Sequence, residues 1–339
     1  MNAIALAEAG LVPDSLTRAG IRRLCSKRLA DEAAGEEERQ AAFAESLASL
    51  PVAPVPEKAN EQHYEVPAAF MALALGPRMK YSCCLYPEGT ESLAEAEEAM
   101  LALTCARAEL RDGQRVLELG CGWGSLTLWM AERYPSSRIV AVSNSSSQRE
   151  HILARARERG LSNVEVLTGD MNSFTPPGRF DRVVSVEMFE HMRNYPELLR
   201  RVSSWLEPGG KLFVHVFCHT RYAYPFEDAG EDDWMARHFF SGGQMPSEGL
   251  LLRFQEHLVN ERMWVVPGRH YARTAEQWLA NLDARREEAL RLLRATHGGE
   301  AAVQLQRWRI FYMACAELFG YAGGSEWRVA HYLFRRRDA

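Results

Sequence analysis

The chain has 339 residues, 47% of them hydrophobic and 25% charged, with a formal net charge of −5. That balance suits a globular enzyme with a sizeable core, and its mild acidity gives no reason to expect a nucleic acid partner. No apolar run is long enough to span a bilayer, and no basic stretch followed by an apolar one opens the chain, so neither an anchor nor a signal peptide is expected and stable membrane association is not.

Residues 1 to about 50 read as helix, with Pro13 and Gly20 as breaks. Pro51-Val-Ala-Pro-Val-Pro56 reads as a stiff, extended connector, dividing a helical N-terminal cap (1–56) from a catalytic unit (57–339). Two segments dense in polar and aromatic residues follow, Glu57 to Pro67 and Met79 to Tyr86. A long amphipathic helix spans Leu93 to Leu110. Strands are expected at 115–119, 138–143, 164–168, 180–186 and 211–217, with helices at about 123–134, 147–160 and 195–206. Ser147-Gln-Arg-Glu150 has capping-box form, and Asn194 stands as a cap ahead of an early-helix proline. Such alternation predicts an α/β fold, Rossmann-like, with a mostly parallel sheet whose ligand crevice lies at the strands' carboxyl ends. A loop-rich insertion at 219–262, before the sixth strand, reads as a substrate cover. Strand-like Trp264 to Pro267, helices at 274–296 and 299–319 (with 273–319 a second covering segment) and a strand from Trp327 to Phe334 complete the chain.

Seven cysteines, an odd number without Cys-x-x-Cys spacing, suggest neither a disulfide framework nor a zinc site. A reducing cytoplasm fits, and no metal is expected. The strand Val116 to Leu119 runs into Gly120, Gly122 and Gly124, and a helical pattern starts at once. Glycines behind a strand bring backbone N–H groups against a ligand that needs them, because no Cβ holds it away. The dinucleotide pattern G-x-G-x-x-G fails, since Ser125 replaces its third glycine. What remains is Glu118-x-Gly-x-Gly-x-Gly, which resembles the first motif of S-adenosylmethionine (SAM) dependent methyltransferases of class I.

Tyr81-Ser-Cys83, Leu119-Gly-Cys-Gly-Trp-Gly124, Ser143 through Gln148 and Met188-Phe-Glu-His191 together resemble the cyclopropane fatty acid synthase group of these enzymes. Within it, Ala59-Asn-Glu-Gln-His-Tyr-Glu-Val-Pro67, Tyr81-Ser-Cys-Cys84, Glu187-Met-Phe-Glu-His-Met192 and Glu231-Asp-Asp-Trp234 are most similar to coclaurine N-methyltransferases. The resemblance covers nearly the whole chain beyond residue 55. It implies SAM as cofactor and S-adenosylhomocysteine (SAH) as product. Ser82, Gly120, Gly122 and Gly124 would hold the methionyl end, and Tyr81, Glu118 and Val186 would also bind the cofactor. Asn144 and Gln148 would reach the ribose and carboxylate side, and Asp170 and Met171 the adenine.

Glu187, Glu190 and His191, just past the fourth strand, are the expected catalytic residues. An amine attacks a methyl group only as its free base. A carboxylate, or an imidazole with an unperturbed pKa of about 6.5, can take its proton and hold it in line. Tyr81, Cys83, His215, Trp234, Phe239, Tyr271, Phe319, Tyr321 and Trp327 are expected around the acceptor, the aromatics by stacking or cation–π attraction. Cyclopropanating relatives usually carry glycine where Glu187 stands and bind bicarbonate through residues matching Cys83, Glu190, His215 and Tyr271. Added carboxylate charge at Glu187 disfavours that anion and favours an amine. The expected partner is therefore a small, aromatic or cyclic amine of benzylisoquinoline or tetrahydroisoquinoline type, with a homodimer the assembly to test. Two alternatives stay open: methylation or cyclopropanation of an unsaturated acyl lipid, and SAM binding without catalysis.

Overall fold

The computed structural model describes residues 3–34, 36–54, 67–230 and 233–337. The expected domain boundary at residue 56, the stretch 57–66 and the pair Glu231-Asp232 lie outside the described residues. The N-terminal region forms α1 (Ala3–Glu8), α2 (Asp14–Ala33) and α3 (Glu36–Ser46). Pro13 stands at the N-cap of α2, but Gly20 stays inside that helix. Nothing lies within 4 Å of where a Cβ on Gly20 would point. An exposed helix absorbs one glycine for about 1 kcal/mol.

The short α4 (Ala68–Ala74) and the longer α5 (Leu93–Arg107) precede the sheet. A capping box closes the N-terminus of α5, with Ser92 Oγ accepting from the Glu95 N–H and the Glu95 carboxylate accepting from the Ser92 N–H. The alternating core follows as β1 (Arg115–Leu119), α6 (Ser125–Arg133), β2 (Arg138–Ser143), α7 (Ser146–Glu158), β3 (Val164–Thr168), β4 (Phe180–Val186), α8 (Tyr195–Trp205) and β5 (Leu206–His219). A ribbon of β6 (Tyr224–Pro225) and β7 (Gln244–Met245) flanks α9 (Trp234–His238). Then come β8 (Leu258–Val266), α10 (Gly268–Ala284), α11 (Arg286–His297), α12 (Ala301–Gly320) and β9 (Trp327–Arg336).

Seven strands form one sheet in the order β3-β2-β1-β4-β5-β9-β8. The first five run parallel, and β9 lies antiparallel between β5 and β8. Strands buried on both faces carry near-continuous apolar runs, as β2 does with Ile139, Val140, Ala141 and Val142. Above the sheet's carboxyl edge, α4, α10, α12 and the insertion share a second apolar core rich in aromatics, including Phe70, Trp278, Trp308 and Tyr312. The N-terminal helices dock on it through ion pairs of Arg18 with Glu276 and Glu317, and of Arg309 with Asp14.

Local expectations shift in four places. Ser145 rather than Ser147 caps α7, accepting from the Gln148 N–H at 3.4 Å. The strand β5 begins at Leu206, because that residue pairs with Phe180 across a register shift. The strand β8 starts inside the segment read as insertion, where Leu258 pairs with Arg336 of β9. The helix expected at 274–296 is two helices, α10 starting early behind Pro267 and α11 following Arg285. Only glycine fits at 268: a Cβ there would sit 2.0 Å from the Trp327 carbonyl oxygen.

Candidate active site

The glycine turn after β1 opens at the sheet's carboxyl edge. Gly120, Gly122 and Gly124 have φ of 78°, 51° and 81°, a region closed to most side chains. A Cβ on Gly120 would meet Met188 at 2.7 Å and one on Gly124 would meet Ile152 at 2.6 Å, whereas one on Gly122 would enter open space. The first and third glycines thus allow close packing, and the middle one bares its backbone to a cavity. Two adjoining cavities share Gly120, Gly122, Gln148 and His191 in their walls. One includes Asn144, Asp170 and Met171. The other includes Tyr81, Ser82, Glu118 and Val186 and continues into an aromatic chamber.

These residues fit the cofactor the motif implies. The Gln148 Nε2 is buried without a hydrogen-bond partner, although its Oε1 accepts from Ser143 Oγ at 2.7 Å. Glu118 is buried with a single side-chain donor, Thr127 Oγ1 at 2.5 Å, and burial pushes its carboxyl up to about 8. Glu118 lines the cavity beside the glycine turn.

Glu187 follows β4 with φ of +47°, a strained value for a non-glycine residue. Its backbone is held by an N–H donated to the His215 carbonyl at 2.8 Å. The carboxylate collects three donors: the Cys83 N–H at 2.9 Å, His215 Nε2 at 3.2 Å and the Tyr271 hydroxyl at 2.6 Å. Burial pushes the Glu187 carboxyl above its ordinary value, opposed by the charge of Lys80 and by the Cys83 and Tyr271 bonds. Glu190 is pushed much further, by burial and by the neighbouring Glu187 charge, and its Oε2 is buried without a partner. Of the two carboxyls, Glu190 is therefore the harder to ionise. His191 stacks on Phe240 with ring centroids 4.5 Å apart.

The aromatic chamber brings together Tyr81, Tyr271 and Phe319. Cys83 and His215 are fully buried behind Glu187 and touch it. Trp234, Phe239, Tyr321 and Trp327 lie outside the wall. Trp234 donates to Glu8 at 2.8 Å, Trp327 donates to the Tyr224 hydroxyl at 3.0 Å, Tyr321 bonds to Ser26 at 2.7 Å, and Phe239 stacks on Phe311 at 4.4 Å. Those aromatics hold the cover to the rest of the molecule. The wall instead uses Phe226, Met235 and Phe240 from the insertion, and Trp278 and Phe311 from the late helices.

Lys80 was not singled out from the sequence. It is 2% exposed, with its ammonium donating to Ser82 Oγ and to the Cys83 carbonyl at 2.8 Å. Its backbone N–H is received by buried Glu97 at 3.1 Å. Only four of the chain's 40 basic side chains are lysine, so a lysine amid Met79 and Tyr81 was a usable signal.

Fold and site together define a Rossmann-like, SAM-dependent methyltransferase. Residues 55–323 match the model for the mycolic acid cyclopropane synthetase family, and the chain belongs to that family. The chain is 41% identical to (S)-coclaurine N-methyltransferase of Thalictrum flavum subsp. glaucum, over 97% of this chain and 94% of that one. A solved coclaurine N-methyltransferase bound to N-methylheliamine and SAH superimposes with a TM-score of 0.94 at 38% identity, covering 98% of each chain. Cyclopropane-fatty-acyl-phospholipid synthase of Escherichia coli strain K12 is 33% identical, over 65% of this chain and 55% of that one. The chain is a SAM-dependent N-methyltransferase.

Proposed function

We propose that the acceptor is a small aromatic or cyclic amine of the benzylisoquinoline or tetrahydroisoquinoline type, methylated on nitrogen. One observation carries this reading: the Glu187 carboxylate sits in a nest made by Cys83, His215 and Tyr271. By the resemblance to cyclopropanating enzymes those positions match bicarbonate ligands, so the side chain would stand where that free anion binds. A carboxylate has about four acceptor sites. Three are used, and the one left over takes an acceptor N–H.

Bound SAM supplies a sulfonium-activated methyl group. The glycine turn and Ser82 would hold its methionyl end, Asn144 and Gln148 its ribose and carboxylate side, and Asp170 and Met171 its adenine, with Glu118 in the same cavity wall. Glu187 accepts from the amine and aligns its lone pair. His191, in the wall of the same chamber, takes the proton lost on methylation, while Glu190, the harder carboxyl to ionise, leaves the charge to Glu187. The aromatic chamber excludes water and stacks on the ring; Tyr81 and Trp278 lie 5.5 Å apart, centroid to centroid. The insertion 219–262 and the segment 273–319 cover the acceptor. All seven cysteines are free and buried, which supports a reducing, cytoplasmic setting. No helix among the described residues is long and apolar enough to cross a membrane.

The test is product analysis after incubation with SAM and a tetrahydroisoquinoline. A methyl resonance on nitrogen supports the reading. Methylation at a ring carbon or hydroxyl, or no turnover with any cyclic amine, contradicts it.

A further inference from the structure

Behind Glu187 runs a line of buried and half-buried polar groups that the methyl transfer does not itself use. His215 Nδ1 lies 2.9 Å from His331 Nε2, and His331 Nδ1 lies 2.9 Å from Arg107 Nη1. The sheet register builds it. Val186, the residue before Glu187, pairs with His215 on β5, and His215 pairs with His331 on β9. Directly paired residues on neighbouring strands present their side chains on one face. The next pairing, His331 with Trp264 on β8, sets the Trp264 ring under the Arg107 guanidinium at 5.0 Å. Both histidines are fully buried, and Phe213 meets His331 edge-on at 5.2 Å.

One end of this chain has a fixed polarity. A guanidinium has donors only. His331 Nδ1 must therefore accept, which leaves the proton of the neutral ring on Nε2, facing His215 Nδ1. His215 then carries its own proton on Nε2, facing the Glu187 carboxylate at 3.2 Å. Every member donates toward Glu187. Reversal would oppose an imidazole lone pair to the carboxylate at one end and two donors at the other. Burial and the nearby Lys80 and Arg107 charges hold both rings well below their ordinary pKa, so each is neutral as this polarity requires.

We propose that His331 and Arg107 are positioning residues that lock His215 into its Nε2–H tautomer and thereby keep Glu187 ionised and correctly turned toward the acceptor nitrogen. The proposal rests on the amine reading above. The chain of donors and the Cys83 N–H fix one carboxylate oxygen and Tyr271 fixes the other, on a side chain that lines the chamber.

Two experiments test it. Ring nitrogen NMR of the unmutated, histidine-labelled protein should show two non-titrating imidazoles, both Nε2–H, assigned as those lost in His215→Gln and His331→Gln. An Nδ1–H form of either, or an imidazolium at neutral pH, overturns the proposal whatever the acceptor is. Kinetically, Arg107→Met and His331→Leu should each lower kcat about tenfold, the share of one alignment hydrogen bond, with SAM affinity unchanged. His331→Gln can accept from Arg107 and donate to His215, and should keep most of the activity. Equal loss in His331→Leu and His331→Gln would mean simple packing and refute the relay. Failure of the parent to methylate any amine would instead refute the amine reading and leave the tautomer result standing.

Discussion

Glu187→Gly separates the role of the carboxylate from the role of the nest around it. At φ of +47° glycine is at ease, so the backbone gains where the side chain is lost. Three donors, from Cys83, His215 and Tyr271, are left facing a hole. Removing a general base or its equivalent costs about 10²- to 10⁴-fold in rate, so kcat with a tetrahydroisoquinoline should fall by that order. The nucleoside and glycine-turn contacts are elsewhere, and SAM should bind as before. The hole is anion-shaped, and each donor left unsatisfied costs about 1–3 kcal/mol. Formate or bicarbonate has fewer non-hydrogen atoms than the side chain removed and should occupy the nest. Millimolar formate or bicarbonate should then raise the variant's rate about tenfold or more by restoring a charge-assisted acceptor. The assay is SAH release with SAM binding measured in parallel, and the parent enzyme should ignore both anions. A variant within about threefold of the parent, or one that binds SAM yet responds to no small carboxylate, would refute the reasoning.

Glu118, held up to about 8 by burial, is largely protonated in the free protein at neutral pH. Pairing with the amino group of SAM favours its ionised form, so binding should release a proton below pH 8 and tighten as pH rises toward 8. Calorimetry in two buffers of different ionisation enthalpy reads the proton, and Glu118→Gln should abolish its release. Lys80 opposes the burial that raises the Glu187 carboxyl. Lys80→Met should therefore move the acid limb of the kcat profile to higher pH; an unmoved limb would remove Lys80 from the electrostatics. His215, His331 and His219 are all kept neutral by burial, His219 down to about 4. The unfolded chain binds these protons near pH 6.5 and the folded one does not, so stability should fall as pH drops below about 6.5. Urea unfolding from pH 7 to 5 checks this, and His331→Gln should flatten the slope.

The alternating core was legible because each of its strands carries a dense apolar run and each glycine or cap breaks it sharply, as at Gly120 and Asn194. Placing Glu187, Glu190 and His191 at the crevice followed from strand order alone, since residues just past β4 must lie at the sheet's carboxyl edge. The acceptor wall was less legible. Trp234 and Phe239 shared a segment with Phe226 and Phe240, but which aromatic faces the chamber depends on docking partners such as Glu8 and Phe311, far away in sequence. The His215–His331 contact was hidden for the same reason. It exists through antiparallel pairing of strands more than 100 residues apart, which local pattern does not encode.

On the reading proposed above, Glu187 stands in place of a bicarbonate and suits a site shared with lipid-modifying relatives to amines. SAM-to-SAH conversion measured against cyclic amines and against unsaturated phospholipid vesicles, each with and without bicarbonate, tests it most directly. The account predicts turnover with the amines alone, indifferent to bicarbonate. Turnover with the vesicles alone, dependent on bicarbonate, would contradict it.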